Sequence, residues 1–163
     1  MKIKSFMMMM VAAATVVLGF SSCGSDDDEP EVPVATQVAG SYTGQEIVMV
    51  MGEESSNEIK TYTFAKTIDT AVDLTIPEMG MGGSMTIPAL LVKNIPLKKI
   101  DKTISGLLTS YAGTVTNAAG AEKAFTITNL AIVVDDKNIA VTYSLKYGNM
   151  PMSMETTFIG TKK

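Results

Sequence analysis

Histidine, arginine and tryptophan are absent from this 163-residue chain, and cysteine occurs once. Without histidine there is no imidazole to act as a general base near neutral pH, and no His-based metal or nucleophilic site. A single thiol excludes a disulfide within the chain. All 13 basic residues are lysines, so the planar guanidinium forks that usually read phosphates and carboxylates are missing too. Seventeen acids give a net charge of −4. Long apolar runs are also scarce. The one present, residues 6–20, is shorter than the roughly 20 residues that a spanning helix needs. The length suits one domain.

That apolar run follows Lys2 and Lys4, and together they read as a signal peptide over residues 1–22. Leu18-Gly19-Phe20-Ser21-Ser22-Cys23 resembles a bacterial lipobox, in which the leader is cleaved before the cysteine and the cysteine is acylated. Phe20 stands where leucine is usual. The alternative is an ordinary secretory leader cleaved nearby. Acylation would account for a lone cysteine in an exported chain, and two or more acyl chains anchor a protein stably where one does not. Residues 23–35 then form an acidic flexible tether. Ser25, Asp26, Asp27, Asp28 and Glu29 resemble the surface-export signal of Bacteroidetes lipoproteins, which implies the outer face of the outer membrane. A solvated spacer is the plainer reading of the same residues. Adjacent aspartates without a glycine-turned loop make a poor calcium site.

From residue 36 to 163 the apolar pattern has period two. Ile139, Val141, Tyr143, Leu145 and Tyr147 alternate with Ala140, Thr142, Ser144 and Lys146. Met150, Met152, Met154, Thr156 and Phe158 alternate with Ser153, Glu155 and Thr157. Val72, Leu74 and Ile76, and likewise Tyr62 and Phe64, follow the same rule. The spacing predicts strands at 41–51, 58–66, 70–77, 84–88, 90–99, 110–117, 123–134, 138–148 and 151–161. Turn signals lie between them at residues 52–57, 80–83, 117–120, 135–138 and 148–149. Residues 100–110 fit either a short helical turn or an irregular strand link. Eight or nine antiparallel strands must close or form a second sheet to remove their edges. Short links favour a single up-and-down barrel, with a two-sheet sandwich as the alternative.

Gly40-Ser41-Tyr42-Thr43-Gly44 opens the first strand and Phe158-Ile159-Gly160-Thr161-Lys162 closes the last. This pair resembles the ends of the calycin-like, or lipocalin-like, β-barrel domain of Bacteroidetes surface lipoproteins. The resemblance implies that Tyr42 and Lys162 pack together where the barrel closes. They stand in place of the tryptophan and arginine of lipocalins.

Eight methionines follow the leader, in three groups: Met49 and Met51; Met79, Met81 and Met85; Met150, Met152 and Met154. Thioethers bind Cu(I), but they also serve as adaptable apolar filler or cavity lining, and the absence of histidine favours the latter. Met49, Met51, Met152, Met154 and Tyr143 are therefore the candidate lining of an apolar ligand cavity. Glu53 with Glu54, and Asp135 with Asp136, are acids in predicted turns, where neighbours are solvated rather than opposed across a cleft. Lys98, Lys99 and Lys102 are too few for nucleic-acid binding in a near-neutral domain of 11 lysines and 12 acids. Tyr111 and Tyr147 are the candidates for stacking on a sugar.

The sequence thus predicts no catalytic residues, no metal and no cofactor. It predicts a lipid-anchored, surface-facing binding module for a small apolar ligand or a partner protein. The alternative is a structural or accessory subunit of an outer-membrane assembly.

Overall fold

The computed structural model describes residues 31–81 and 85–163. A short helix, α1 (Val34–Val38), precedes ten strands: β1 (Gly40–Val50), β2 (Glu53–Ile68), β3 (Ala71–Ile76), β4 (Met79–Gly80), β5 (Thr86–Ile87), β6 (Leu90–Ile100), β7 (Thr103–Thr116), β8 (Glu122–Asp135), β9 (Asn138–Tyr147) and β10 (Met154–Lys162). Eight of them close into an antiparallel barrel in the order β1-β10-β9-β8-β7-β6-β3-β2. The two remaining strands, β4 and β5, pair only with each other. Closure decides the architecture against a two-sheet sandwich, because every strand of the barrel has a neighbour on each side.

Several local readings change, each for a physical reason. The polar residues 53–57, predicted as a turn, belong to β2. The β1–β2 turn is only Met51 and Gly52, both at positive φ (54° and 84°), the geometry of a tight two-residue hairpin. The ambiguous segment 100–110 holds a second tight turn at Asp101 (φ 55°), after which β7 runs from Thr103. Strand 84–88 shrinks to two residues paired with β4. The last strand begins at Met154 rather than 151, so Met150 and Met152 lie in the link before it. Helix α1 had no signal in its own five residues. Its formation is a packing effect: Ala35 and Val38 are fully buried, and Ala35 N donates to Asp69 O at 3.1 Å.

The unit Val32–Lys163 is filled rather than hollow. Tyr42 meets Phe64 edge-on at 5.6 Å between centroids, and Tyr62 stacks on Phe158 at 4.0 Å. Leu74, Ile76, Ile95, Ile127 and Leu130 complete the interior, all at most 1 % exposed. The up-and-down order gives the barrel two distinct ends. Helix α1 and the turns after β2, β6 and β8 form the closed end. The turns after β1, β7 and β9, with the β4–β5 hairpin, form the mouth.

At the seam, β1 and β10 pair with Tyr42 opposite Lys162, Gly44 opposite Gly160 and Glu46 opposite Phe158. The strands approach so closely at Gly44 that a Cβ there would run into the Ile159 carbonyl and the Gly160 backbone. Only glycine fits.

Candidate functional site

The topology gathers all eight post-leader methionines at the mouth half. Met49 and Met51 lie at the end of β1, Met79, Met81 and Met85 in or beside the β4–β5 hairpin, and Met150, Met152 and Met154 at or just before the start of β10. Between the hairpin and the β7–β8 and β9–β10 links lies an open groove of about 630 Å³. Met85, Met150 and Ala118 supply apolar wall, Lys123 its one charged side chain, and Tyr147 its most buried residue. Its rims are tied to the sheet. Asn117 Oδ1 accepts from the Ala119 and Ala121 amides (3.1 and 2.9 Å), and Gly148 N donates to Ala124 O at 2.7 Å. Tyr147 Oη is buried without a hydrogen-bond partner.

Within the barrel lies a polar chain that the alternation did not single out. Glu46, 1 % exposed, faces inward from β1. Tyr62 OH donates to Glu46 Oε2 at 2.6 Å, and the Tyr62 and Tyr143 hydroxyls meet at 2.8 Å. Tyr143 OH lies 3.9 Å from Met79 Sδ on the hairpin, which links the mouth to the interior. Burial pushes the Glu46 carboxyl above its ordinary range, against smaller opposing effects of the Tyr62 hydrogen bond and the Lys60 charge. Burial likewise raises both phenols, so each stays a neutral donor and acceptor. Among the described residues Glu46 is the only buried acid. Its cross-strand neighbour Glu58 adds to the upward push, but Glu58 is half-exposed and ion-paired to Lys60 at 2.7 Å. The missed signal was the inward series Tyr42, Gly44, Glu46, Val48 on β1, where an acid occupies a core position.

The other expected site residues fall in three places. Lys162 Nζ lies 5.7 Å from the centroid of the Tyr42 ring and donates to Gln37 O at 2.8 Å. Tyr42 OH donates to Val38 O at 2.9 Å, and burial pushes its phenol up to about 12. Both side chains thereby hold α1 across the closed end. Tyr143 and Met154 are core residues (2 % and 1 % exposed), whereas Met51 and Met152 are on the rim (79 % and 39 %) and Met49 is half-exposed. These five do not line one internal cavity. Of the two tyrosines considered for sugar stacking, Tyr147 is buried, and Tyr111 is half-buried against Phe125. Cys23, Ser25, Asp26, Asp27, Asp28 and Glu29 lie outside the described residues.

Comparison with known proteins agrees with this geometry. No curated protein matches the sequence. In structure, the chain is similar to a candidate outer membrane protein of Bacteroides fragilis, with a TM-score of 0.62 and 19 % identity. The match covers 80 % of this chain and 53 % of that one, so the likeness spans about half the length of the Bacteroides protein and concerns the fold. Residues 38–161 match the sequence model of the calycin-like β-barrel domain. With a closed eight-stranded barrel and a match over most of its length, the chain belongs to the calycin-like β-barrel domain family.

Proposed function

We propose that this protein is a non-catalytic binding module, anchored through Cys23 at the outer face of the outer membrane, that takes a small apolar ligand in its methionine-lined mouth. The observation that carries this reading is the open 630 Å³ groove lined by Met85, Met150 and Ala118 above a filled barrel. Its size falls within the range of small-molecule pockets, about 300–1,000 Å³. Unbranched thioether side chains adapt to ligands of different shape. The filled interior leaves the mouth, rather than a central chamber, as the place for a ligand. Calycin-like domains generally bind rather than catalyse. The structural likeness to a candidate outer membrane protein supports the address, as does the lipobox-like sequence. The chain enters the barrel unit through α1, at the closed end.

A partner protein is the second reading, favoured by the exposure of Met51, Met85 and Met152 on one rim. Titration with the neutral fluorophore N-phenyl-1-naphthylamine separates the two. A ligand site gives saturable one-to-one binding that weakens about tenfold or more in Met150→Asp, since a carboxylate in an apolar wall must be desolvated. Absence of saturable binding, or binding indifferent to Met150→Asp, removes the ligand reading.

A further inference from the structure

We propose that the mouth half of β7 is a pairing edge, at which two copies of this chain join by antiparallel addition of β7 to β7. The wall of the barrel is continuous on the closed side, but it splays between β6 and β7. Their ladder holds only four pairs, from Ile100↔Thr103 to Leu97↔Gly106. Beyond it β6 turns away. Pro96 has no amide to donate, and Asn94 sits at φ 55° with its N–H given to Asp73 Oδ1 at 2.8 Å, beside a register shift against β3. Meanwhile β7 continues through residues 107–116, paired with β8 alone. Among the described residues, nothing pairs with its other edge.

A second free edge at the mouth shows how this fold guards one. Residues 53–62 of β2 pair with β1 and not with β3. That edge carries Glu53, Glu54, Glu58 and Lys60, and Lys60 Nζ also reaches Glu78 O at 3.0 Å. Charges along an edge are the common defence against strand addition. Residues 107–116 of β7 (Leu-Leu-Thr-Ser-Tyr-Ala-Gly-Thr-Val-Thr) carry no charge and no proline. Leu107 is 70 % exposed, Leu91 across the splay is 42 % exposed, and Leu108, Tyr111 and Val115 are only partly buried.

The missing charge also selects the occupant. In a two-fold antiparallel pair every residue faces one from the same strand, so any charge near the centre would meet its like. An uncharged edge meets no such penalty. Self-pairing also uses the free edge of both copies and closes the assembly. Addition of β7 to the β2 edge of another copy would instead be head-to-tail and open-ended, against a strand already guarded by charge.

The test uses the full chain, in native membranes and after detergent extraction. The expected particle has twice the monomer's protein mass in sedimentation, and Thr114→Lys, at an exposed β7 position, converts it to monomer with unchanged thermal unfolding. Ala112→Cys, near the centre of the edge, is expected to form a disulfide-linked dimer on thiol oxidation in membranes. Ile59→Cys on β2 and the parent chain with Cys23 alone should not. A wild-type monomer at every accessible concentration would overturn the proposal. So would a dimer that survives Thr114→Lys, equal cross-linking at residue 59, an open-ended ladder of larger species, or cross-linking of Ala112→Cys to a different protein.

Discussion

At the residue scale, Glu46 carries the sharpest physical conflict in the molecule. A carboxyl taken out of water loses hydration that one phenolic hydrogen bond does not replace, so its neutral form is favoured. The sign of the pH effect follows. A carboxyl whose folded pKa lies above its unfolded value carries no penalty while protonated. It begins to destabilise the fold as pH rises through the ordinary carboxylate value of about 4.3, and the full penalty is reached above the raised folded value. Glu46→Gln keeps an acceptor for Tyr62 and removes the charge. The variant should therefore unfold at higher denaturant than the parent at pH 7, and the difference should shrink or reverse at pH 4. A gap that does not change with pH would show that the Glu46 carboxyl titrates alike in the folded and unfolded chain, and would remove the burial penalty argued for it. Tyr62 depends on two partners as well as its stack on Phe158. Tyr62→Phe keeps the ring but strands Glu46 Oε2 and the Tyr143 hydroxyl, and should cost about 1–3 kcal/mol in denaturant unfolding.

At the element scale, the β1–β10 seam is where the barrel closes, and its tolerance is small. Gly44 faces Gly160 across the ladder, with no room for a Cβ on Gly44 against the Ile159 carbonyl. Gly44→Ala must push the two strands apart, and should lower stability by about 2 kcal/mol or more, read as a fall in unfolding midpoint. Gly52→Ala is the useful contrast. Nothing lies within 4 Å of its added Cβ, so only the strain of its positive φ remains, on the order of 1 kcal/mol. A larger loss at residue 52 than at residue 44 would contradict the close approach of the seam. The elements also show which parts of the pattern were legible. Alternation located β3, β8 and β9 to within a residue or so, although in β9 the second face is largely covered as well, with Ala140 and Ser144 buried. The start of β2 and the first half of β7 could not be read this way. Residues 53–58 are polar because they are exposed on both faces. In the first half of β7 a glycine, Gly106, takes a buried position while the apolar Leu107 is exposed, which breaks the alternation. Polarity that marks a turn in one context marks a wet strand edge in the other.

At the scale of the whole molecule, the anchor and the barrel are separable by sequence. After residue 35 the chain has 11 lysines and 12 acids, so the acidity of the protein resides largely in the segment around Asp26, Asp27, Asp28, Glu29 and Glu31. Cys23→Ala should abolish fatty-acid labelling and release the protein from membranes, while the unfolding profile of the domain stays unchanged. Retention in the membrane fraction would show that something other than acylation holds it. Replacing Asp26, Asp27 and Asp28 with alanine should reduce cleavage by external protease on intact cells. Equal cleavage would leave the acidic run as a spacer.

The sequence alone determined the class of the fold, because period-two alternation with short polar links permits few ways to bury one face of each strand. It also excluded the chemistries that need histidine, arginine or a second thiol, since a missing side chain cannot be supplied by folding. Tertiary structure decided what proximity decides. It brought three separate methionine groups to one mouth, and it placed Tyr42 and Lys162 against a helix whose own residues gave no sign of it. It also set Glu46 beside two tyrosines, 16 residues away along the chain in one case and 97 in the other. Those distances depend on register and closure, and a period of two fixes which face a residue takes without saying what it will meet there.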